Sequence, residues 1–156
     1  MKKAYFLSLP VAALAILILT SLGTFGATQF STWHVHFLNY ELVLGRVDKL
    51  SMVFAYVFII AAISMNVYAL HVKRDWEHVS AMLYVGSALG LVFAGDLFTL
   101  YFFGEIMAWS SLFLIWFRGT SSARSAGFRY ILWHLFGGLC LLAGIVLHVQ
   151  ATGQID

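Results

Sequence analysis

The sequence predicts an all-α integral membrane protein with about five transmembrane helices and a short outer hairpin between the first two. The chain is 62% hydrophobic and only 10% charged, with a mean hydropathy of +0.89, whereas soluble domains carry about 25% charged residues. Its apolar runs are long enough to cross a bilayer, which takes about 20 residues. Short polar stretches separate these runs, so a single membrane domain over residues 1–156 is expected.

The first apolar run, from Ala4 to Ala27, follows Lys2 and Lys3. A basic start before a hydrophobic stretch is also typical of a signal peptide, but a signal core spans only about 7–15 residues. We therefore predict the first transmembrane helix over 4–26, with a kink at Pro10 because proline removes a helical hydrogen bond.

Residues 30–46 have the pattern of a small extramembrane hairpin. Polar and apolar side chains alternate from Thr32 to Phe37, and this period of two is typical of a strand. The alternating His34 and His36 are weak grounds for a metal site. We expect neither a metal nor another cofactor.

The remaining apolar runs predict four more helices, and the polar stretches HVKRDWEH and RGTSSARSAG predict loops. Gly86 and Gly90 form a small-xxx-small pair, which lets another helix approach closely. We expect these two glycines, and Gly137 and Gly138 near the middle of the last helix, to pack against other helices. The predicted bounds of the four helices are 50–70, 79–94, 96–117 and 128–149.

The cations predict an orientation. The predicted helices have their ends alternately on the two sides of the membrane. On one side the only cations are Arg46 and Lys49. By the positive-inside rule the N-terminus is then cytoplasmic and the C-terminus outside, in the cytoplasmic (inner) membrane of a prokaryote. The cations at the other ends, which start with the N-terminus, are Lys2, Lys3, Lys73, Arg74, Arg118, Arg124 and Arg129.

The fourth run, AGDLFTLYFFGEIMAWSSLFLIW, carries one full charge near its middle, Glu105. An ionised carboxylate in hydrocarbon costs several kcal/mol, so it normally has a partner or a use. Its helical neighbours Tyr101, Phe102, Ala108 and Trp109 predict a dry, aromatic face. Two interpretations stay open: a proton relay, and a structural glutamate that is hydrogen-bonded to a neighbouring subunit.

Three further polar residues are candidates for the same path. Asp96 lies about half a helical turn out of phase with Glu105, and an N-cap of the fourth helix is favoured over an outer proton acceptor. Arg129 is either a topology anchor at the membrane edge or a member of the path. His134 lies deeper, where it either packs or extends a proton relay.

Helices two to five resemble the antiporter-like family shared by the Mrp-type cation/proton antiporters (their D-type subunit), respiratory complex I and the related membrane-bound hydrogenases. The resemblance rests on VDKLS at 47–51, AGDLFTLYFFGEIMAWSSLFLI at 94–115 and AGFRYILWHLFGG at 126–138. The middle segment is similar to the family's helix whose glutamate is the first ionisable residue of the intramembrane proton path, which implies that role for Glu105. Arg129 resembles a basic residue that the family often has after the following loop.

A full subunit of this family has many more helices, and its proton path needs a lysine on the seventh. The helices here look like the second to the sixth, and none of helices two to five is expected to contain a lysine. The resemblance therefore implies the N-terminal part of a split proton-translocating subunit in a multisubunit membrane complex. Another chain would supply the remaining helices and the partner lysine.

The ions moved would be protons, with or without Na⁺ or K⁺, and no catalytic chemistry is expected in this chain. The lipid bilayer and other membrane subunits are the expected partners, and nucleic acid is not. The alternative is a structural or assembly subunit that does not transport.

Overall fold

The computed structural model describes residues 2–21, 33–37 and 40–155. These residues form five α-helices and one two-stranded antiparallel sheet, which confirms the helical class and the hairpin between the first two helices. A short 3-10 turn, Ala69–His71, extends the second helix. In chain order the elements are α1 (Lys2–Ser21), β1 (Trp33–Phe37), β2 (Tyr40–Gly45), α2 (Lys49–Tyr68), α3 (Asp75–Phe93), α4 (Leu97–Trp116) and α5 (Ser121–Thr152).

The first helix continues through Pro10 and ends at Ser21 within the described residues. The last part of the predicted helix, 22–26, lies outside them. In α2 the first residue is Lys49, so the expectation of no lysine in helices two to five is wrong at the very start of α2. Lys49 is exposed there, beside the N-cap Asp48.

Two helices begin earlier than predicted, because polar residues outside hydrocarbon do not prevent a helix. α3 begins at Asp75 and not at 79, and Asp75 and Glu77 in its first turn favour a helix N-terminus through the helix dipole. α5 begins at Ser121 and not at 128, after Thr120, whose hydroxyl accepts a hydrogen bond from the Ala123 amide at 3.1 Å. Residues 75–78 and 121–127, which the sequence predicts as loop, therefore belong to helices.

Three of the described helices are long and apolar enough to cross a bilayer: α2 with its extension, α4 and α5. The apolar part of α1 that qualifies, Ser8–Leu19, is shorter. α3 is 19 residues long but starts with two acids. By length and composition, fewer helices qualify as spans than the five expected.

The helices pack against one another in chain order, α1 on α2, α2 on α3, α3 on α4 and α4 on α5. Leu17 of α1 packs against Ala55 and Ile59 of α2 in a buried apolar cluster. The Tyr56 hydroxyl donates to the Leu17 carbonyl at 3.2 Å. Short connections make neighbouring helices antiparallel, so the connections alternate between two ends of the molecule.

The hairpin closes the end where α3 turns into α4. The Gly95 amide donates to the Val43 carbonyl at 3.0 Å, and the Arg46 amide donates to the Phe93 carbonyl at 2.7 Å. A Cβ on Gly95 would lie 2.4 Å from Cγ1 of Val43. Glycine is therefore required where β2 lies on this turn.

At the opposite end, the Arg74 guanidinium donates to the carbonyl of Phe117. This bond ties the α2–α3 connection to the α4–α5 connection. Arg74, and Arg118 next to Phe117, thus lie at one end of the molecule. Arg46 lies at the other end.

Candidate functional site

The antiparallel pair α4–α5 brings Glu105 and His134 to the same level. Glu105 lies eleven residues before Trp116, where α4 ends, and His134 lies thirteen residues after Ser121, where α5 begins. At 1.5 Å per residue these are about 17 and 20 Å from the connection. Gly119, with φ +75°, supplies the left-handed residue that the tight connection requires.

Glu105 and His134 form an acid–imidazole pair. Oε1 of Glu105 lies 3.4 Å from Nε2 of His134, and the two side chains are 21% and 28% exposed. Nε2 is itself buried and has no hydrogen-bond partner among the described residues. Because a buried polar atom without a partner is costly, a small shift of either side chain, or a bridging water, is favoured here.

Gly138 makes the room for this carboxylate. A Cβ at Gly138 would lie 2.6 Å from Oε1 of Glu105, which is closer than nonbonded atoms approach. The glycine on α5 therefore lets the Glu105 side chain lie directly on the backbone of the facing helix.

The pair faces an open cleft of about 330 Å³ between α3, α4 and α5. Its wall is mostly apolar, with Leu91, Leu100 and Leu141 around the two polar side chains. Since a water molecule takes about 30 Å³ of liquid volume, the cleft is large enough for several. Tyr101, one turn before Glu105 on α4, also lines the cleft.

Two members of the dry aromatic face predicted around Glu105 lie on the outside of the described chain, where their exposure does not distinguish lipid from water. Phe102 is 59% exposed and Trp109 is 44% exposed, so both side chains point away from α5. Ala108 is buried, and Tyr101 lines the cleft. The crossing of α4 and α5 therefore buries the 101–105–108 stripe and leaves the flanking aromatic rings on the outside of the described chain.

Asp96 is the N-cap of α4, which confirms the favoured interpretation. It is buried and accepts hydrogen bonds from the Thr99 amide at 2.7 Å and the Thr99 hydroxyl at 2.8 Å. It also accepts one from the Val43 amide of β2 at 2.7 Å. Its oxygens thus hold the start of α4 to the hairpin, and a place in a proton path stays a prediction.

Arg129 is not brought to the pair. Its side chain is exposed and donates to the Ser125 hydroxyl at 3.1 Å, one turn nearer the start of α5. Among the described residues, the base that lies against the Glu105 carboxylate is His134. The sequence placed that partner on a lysine elsewhere, whereas the structure finds a titratable base within this chain.

The four predicted packing glycines divide into two kinds. Gly90 packs against Phe103, whose ring would lie 2.5 Å from an added Cβ, and Gly138 packs against Glu105. Gly86 and Gly137 have no described atom within 4 Å of such a Cβ. Within the described chain, packing therefore does not require glycine at these last two positions.

Gly127 is a packing glycine that sequence reasoning missed. An added Cβ would lie 2.3 Å from Nε1 of Trp116 and 3.1 Å from Cδ1 of Leu112. It lies in the RGTSSARSAG stretch, whose polarity predicts a loop. The glycine could be found once that stretch is recognised as the first two turns of α5, facing the end of α4.

Comparison with known proteins matches residues 94–156 to the family described as NADH:quinone oxidoreductase/Mrp antiporter, transmembrane. The Na⁺/H⁺ antiporter subunit A1 of Staphylococcus aureus is 30% identical over 154 residues, which cover 92% of this chain and 19% of that subunit. Subunit A1 of Staphylococcus saprophyticus is 41% identical over 73 residues, or 46% of this chain and 9% of that one.

A chain in the structure of the membrane-bound sulfane sulfur reductase, an archaeal respiratory membrane complex, has the same fold. The TM-score is 0.74 at 23% sequence identity, with 99% of this chain and 33% of that chain covered. This likeness speaks for the fold and not for the activity.

Three helices of this length and apolar composition are those of a polytopic membrane protein. The chain resembles the antiporter-type subunits of Mrp-like and complex I-like complexes, and the family match lies over residues 94–156. The chain spans about a fifth of the subunit A1 relative with the longer match and a third of the solved chain. The sequence resemblance named the D-type subunit, whereas these relatives are A-type subunits.

Proposed function

We propose that this chain carries part of the proton path of an antiporter-like subunit, with Glu105 as a proton carrier within the membrane. The observation that carries the proposal is the Glu105–His134 pair, 3.4 Å apart, at a cleft large enough to hold several water molecules. Both residues lie about 17–20 Å along their helices from the α4–α5 connection. This depth is close to the middle of a bilayer whose hydrocarbon core is about 30 Å thick. An ionisable pair at that depth is typical of proton relays.

The chemistry is the transfer of a proton between the Glu105 carboxylate and the His134 imidazole. Histidine changes its charge near neutral pH, and a carboxylate beside it is stabilised when the imidazole is protonated. Glu105 therefore accepts and releases a proton as His134, or a cation that approaches from the open side of the cleft, changes its charge.

The split-subunit expectation belongs to this proposal. The matched relatives are much longer than the aligned region, so further antiporter-type helices complete the path, in this polypeptide or in another. They lie against the open side of the cleft and bring the lysine expected from the family resemblance, with Na⁺ or K⁺ as candidate coupled ions. In this proposal the chain lies in the inner membrane with its N-terminus in the cytoplasm.

The test is Glu105→Gln in the intact complex, reconstituted in liposomes. We expect the complex to assemble and proton movement, followed with a fluorescent dye that responds to the pH gradient, to fall by about a hundredfold or more. Asp75→Asn is the matched control, because Asp75 is an exposed acid in the first turn of α3 and lines neither cavity.

The competing proposal is a structural subunit that does not transport. It predicts full proton movement in Glu105→Gln, and that result would reject the relay. The open faces at Gly86 and Gly137 favour a packing role as well, and such a role is compatible with either proposal.

A further inference from the structure

A second and larger cavity lies between α2, α3 and α4, toward the α2–α3 connection. Its volume is about 760 Å³ and most of its wall is apolar. The polar side chains in the wall include Asn66, Glu77, His78 and Ser111, and Tyr130 of α5 lies at its edge. Neither the family match nor the Glu105 site accounts for this cavity.

Tyr130 joins the two cavities. Its hydroxyl lies 2.7 Å from the Ser111 hydroxyl, which lines the larger cavity. Its ring is stacked on the His134 ring, with centroids 6.2 Å apart and an interplanar angle of 21°, and His134 lines the smaller cleft. Tyr130 therefore contacts both Ser111 in the wall of the larger cavity and His134 in the wall of the smaller cleft.

We propose that Ser111 and Tyr130 form a hydroxyl relay that passes protons from the larger cavity, by way of water, to His134 and Glu105. This rests on the proposed function of Glu105 and adds the side from which the proton arrives. That side is the end of the molecule that holds Arg74 and Arg118, which the sequence places in the cytoplasm.

The transfer balances at each group. Each hydroxyl accepts a proton from the water or hydroxyl before it and releases its own to the next, so that it ends unchanged. His134 accepts a proton at Nδ1 and releases the proton on Nε2 to Oε1 of Glu105. One proton is moved, no bond between heavy atoms changes, and no electron is transferred.

Water in the larger cavity is a requirement of this proposal. Buried water needs two to four polar partners, and purely apolar cavities stay dry. Glu77, which is 29% exposed and lies 3.5 Å from Arg74, offers partners at the outer end, and Ser111 and Tyr130 offer them at the inner end. The rival occupant is a lipid acyl chain, which the apolar wall also suits.

The first experiment compares Tyr130→Phe with Tyr68→Phe in the reconstituted complex. Tyr130→Phe keeps the ring stacked on His134 and removes only the hydroxyl. We expect proton movement to slow by about tenfold or more, since positioned proton-transfer groups contribute about 10²–10⁴ to rates. Tyr68 is 80% exposed and lies in neither cavity wall, so Tyr68→Phe should retain the full rate. Ser111→Ala should slow proton movement in the same direction.

The second experiment tests the water directly. Ser111→Cys is made in a Cys140→Ala background, because Cys140 is an exposed thiol, and a charged, membrane-impermeant thiol reagent is added from each side. We expect modification from the side of the α2–α3 connection. Absence of modification in an assembled complex means that lipid or protein fills the cavity, and this overturns the relay.

The outcomes separate the two proposals. Full activity in Glu105→Gln rejects the proposed function, whatever Tyr130→Phe does. Loss of activity in Glu105→Gln with an unchanged rate in Tyr130→Phe rejects the hydroxyl relay alone. Loss in both, with Tyr68→Phe active and the Ser111→Cys thiol modified, supports both.

Discussion

Gly138 is the residue on which the position of the Glu105 carboxylate depends most directly. An added methyl group would lie 2.6 Å from Oε1, so the carboxylate must move if the glycine is replaced. The backbone of α5 is helical here, and alanine is fully compatible with a helix. Any effect of Gly138→Ala thus comes from the displaced carboxylate and not from loss of the helix.

We predict that Gly138→Ala lowers proton movement by about tenfold or more in the assembled complex, because a shift of about 1 Å at a reacting group is enough for a loss of that size. The matched control is Gly144→Ala on the same helix, where no described atom lies within 4 Å of the added carbon. Equal rates in the two variants would show that the position of Oε1 in this structure does not matter for transport.

The sequence predicts Glu105 and His134 as separate candidates but does not predict their contact. Glu105 stood out as the one charge in an apolar run, and His134 was recognised as a titratable group at depth. The contact is not predicted because the apolar pattern predicts a start of α5 at 128 and so puts His134 only six residues into the helix. With the true start at Ser121, the two residues lie nearly equidistant from the connection.

At the scale of the elements, two aspartates cap helices in different surroundings. Asp96 is buried and accepts three hydrogen bonds from Thr99 and Val43. Asp48 caps α2 with a 2.7 Å bond from the Ser51 amide and is exposed. The first aspartate joins a helix to the hairpin, whereas the second acts on its own helix only.

We predict that Asp96→Ala destabilises the protein by roughly 2–4 kcal/mol, since it removes a cap and leaves buried donors without partners. The measurement is thermal unfolding in detergent, together with hydrogen exchange over β2, which should become faster. Asp48→Ala is the control and should leave exchange in β2 unchanged. Equal effects of the two substitutions on β2 would contradict a link through Asp96.

The contribution of Asp48 should depend on pH. The Ser51 amide holds the pKa of Asp48 below its ordinary value of 3.8. A carboxyl group whose pKa is lowered by folding stabilises the protein above the unfolded pKa, and this stabilisation is lost as the pH falls through the folded pKa.

The difference in melting temperature between the native protein and Asp48→Ala should therefore be constant above about pH 5 and should shrink below about pH 4. Thr120→Ala removes an uncharged cap from α5, so its effect should not change over this range. A difference for Asp48→Ala that persists at the lowest pH would contradict the lowered pKa.

The helices themselves were predictable to different degrees. α4 was within a residue of its bounds, because Asp96 marks its start and the apolar run ends at a polar stretch. The starts of α3 and α5 could not be predicted in this way. Asp75, Glu77 and the serines after Thr120 are polar and therefore look like loop residues. Polarity reports where a helix leaves the hydrocarbon and not where its hydrogen bonds begin.

On the scale of the whole molecule, much apolar surface is left uncovered. Only 11% of the apolar window of α5 and 28% of that of α2 are buried in the described chain. In a bilayer, lipid covers such surface as well as protein does, so exposure alone does not identify a contact with another subunit. Glycine on an exposed face is more informative, because small residues let helices approach closely.

Substitutions at Gly86 and Gly90 of α3 should affect different properties, namely assembly with other subunits at Gly86 and stability of the chain at Gly90. Gly90→Ala forces the added carbon onto the Phe103 ring and should destabilise the chain itself by about 1–3 kcal/mol through overpacking. Gly86 is exposed and meets no described atom within 4 Å. We therefore predict that Gly86→Leu leaves the melting temperature of the purified chain unchanged and lowers its recovery in the intact complex severalfold.

The measurement for Gly86→Leu is affinity purification of the complex through a tag on this chain, with the amount of co-purified subunits compared with the native protein. Leu83→Ala, at an exposed leucine one turn earlier, is the control, since trimming a lipid-facing side chain should not change recovery. Normal recovery of the Gly86→Leu complex would mean that lipid covers this face of α3. The additional helices of the antiporter-type subunit would then have to lie elsewhere, with the open side of the Glu105 cleft as the remaining place for them.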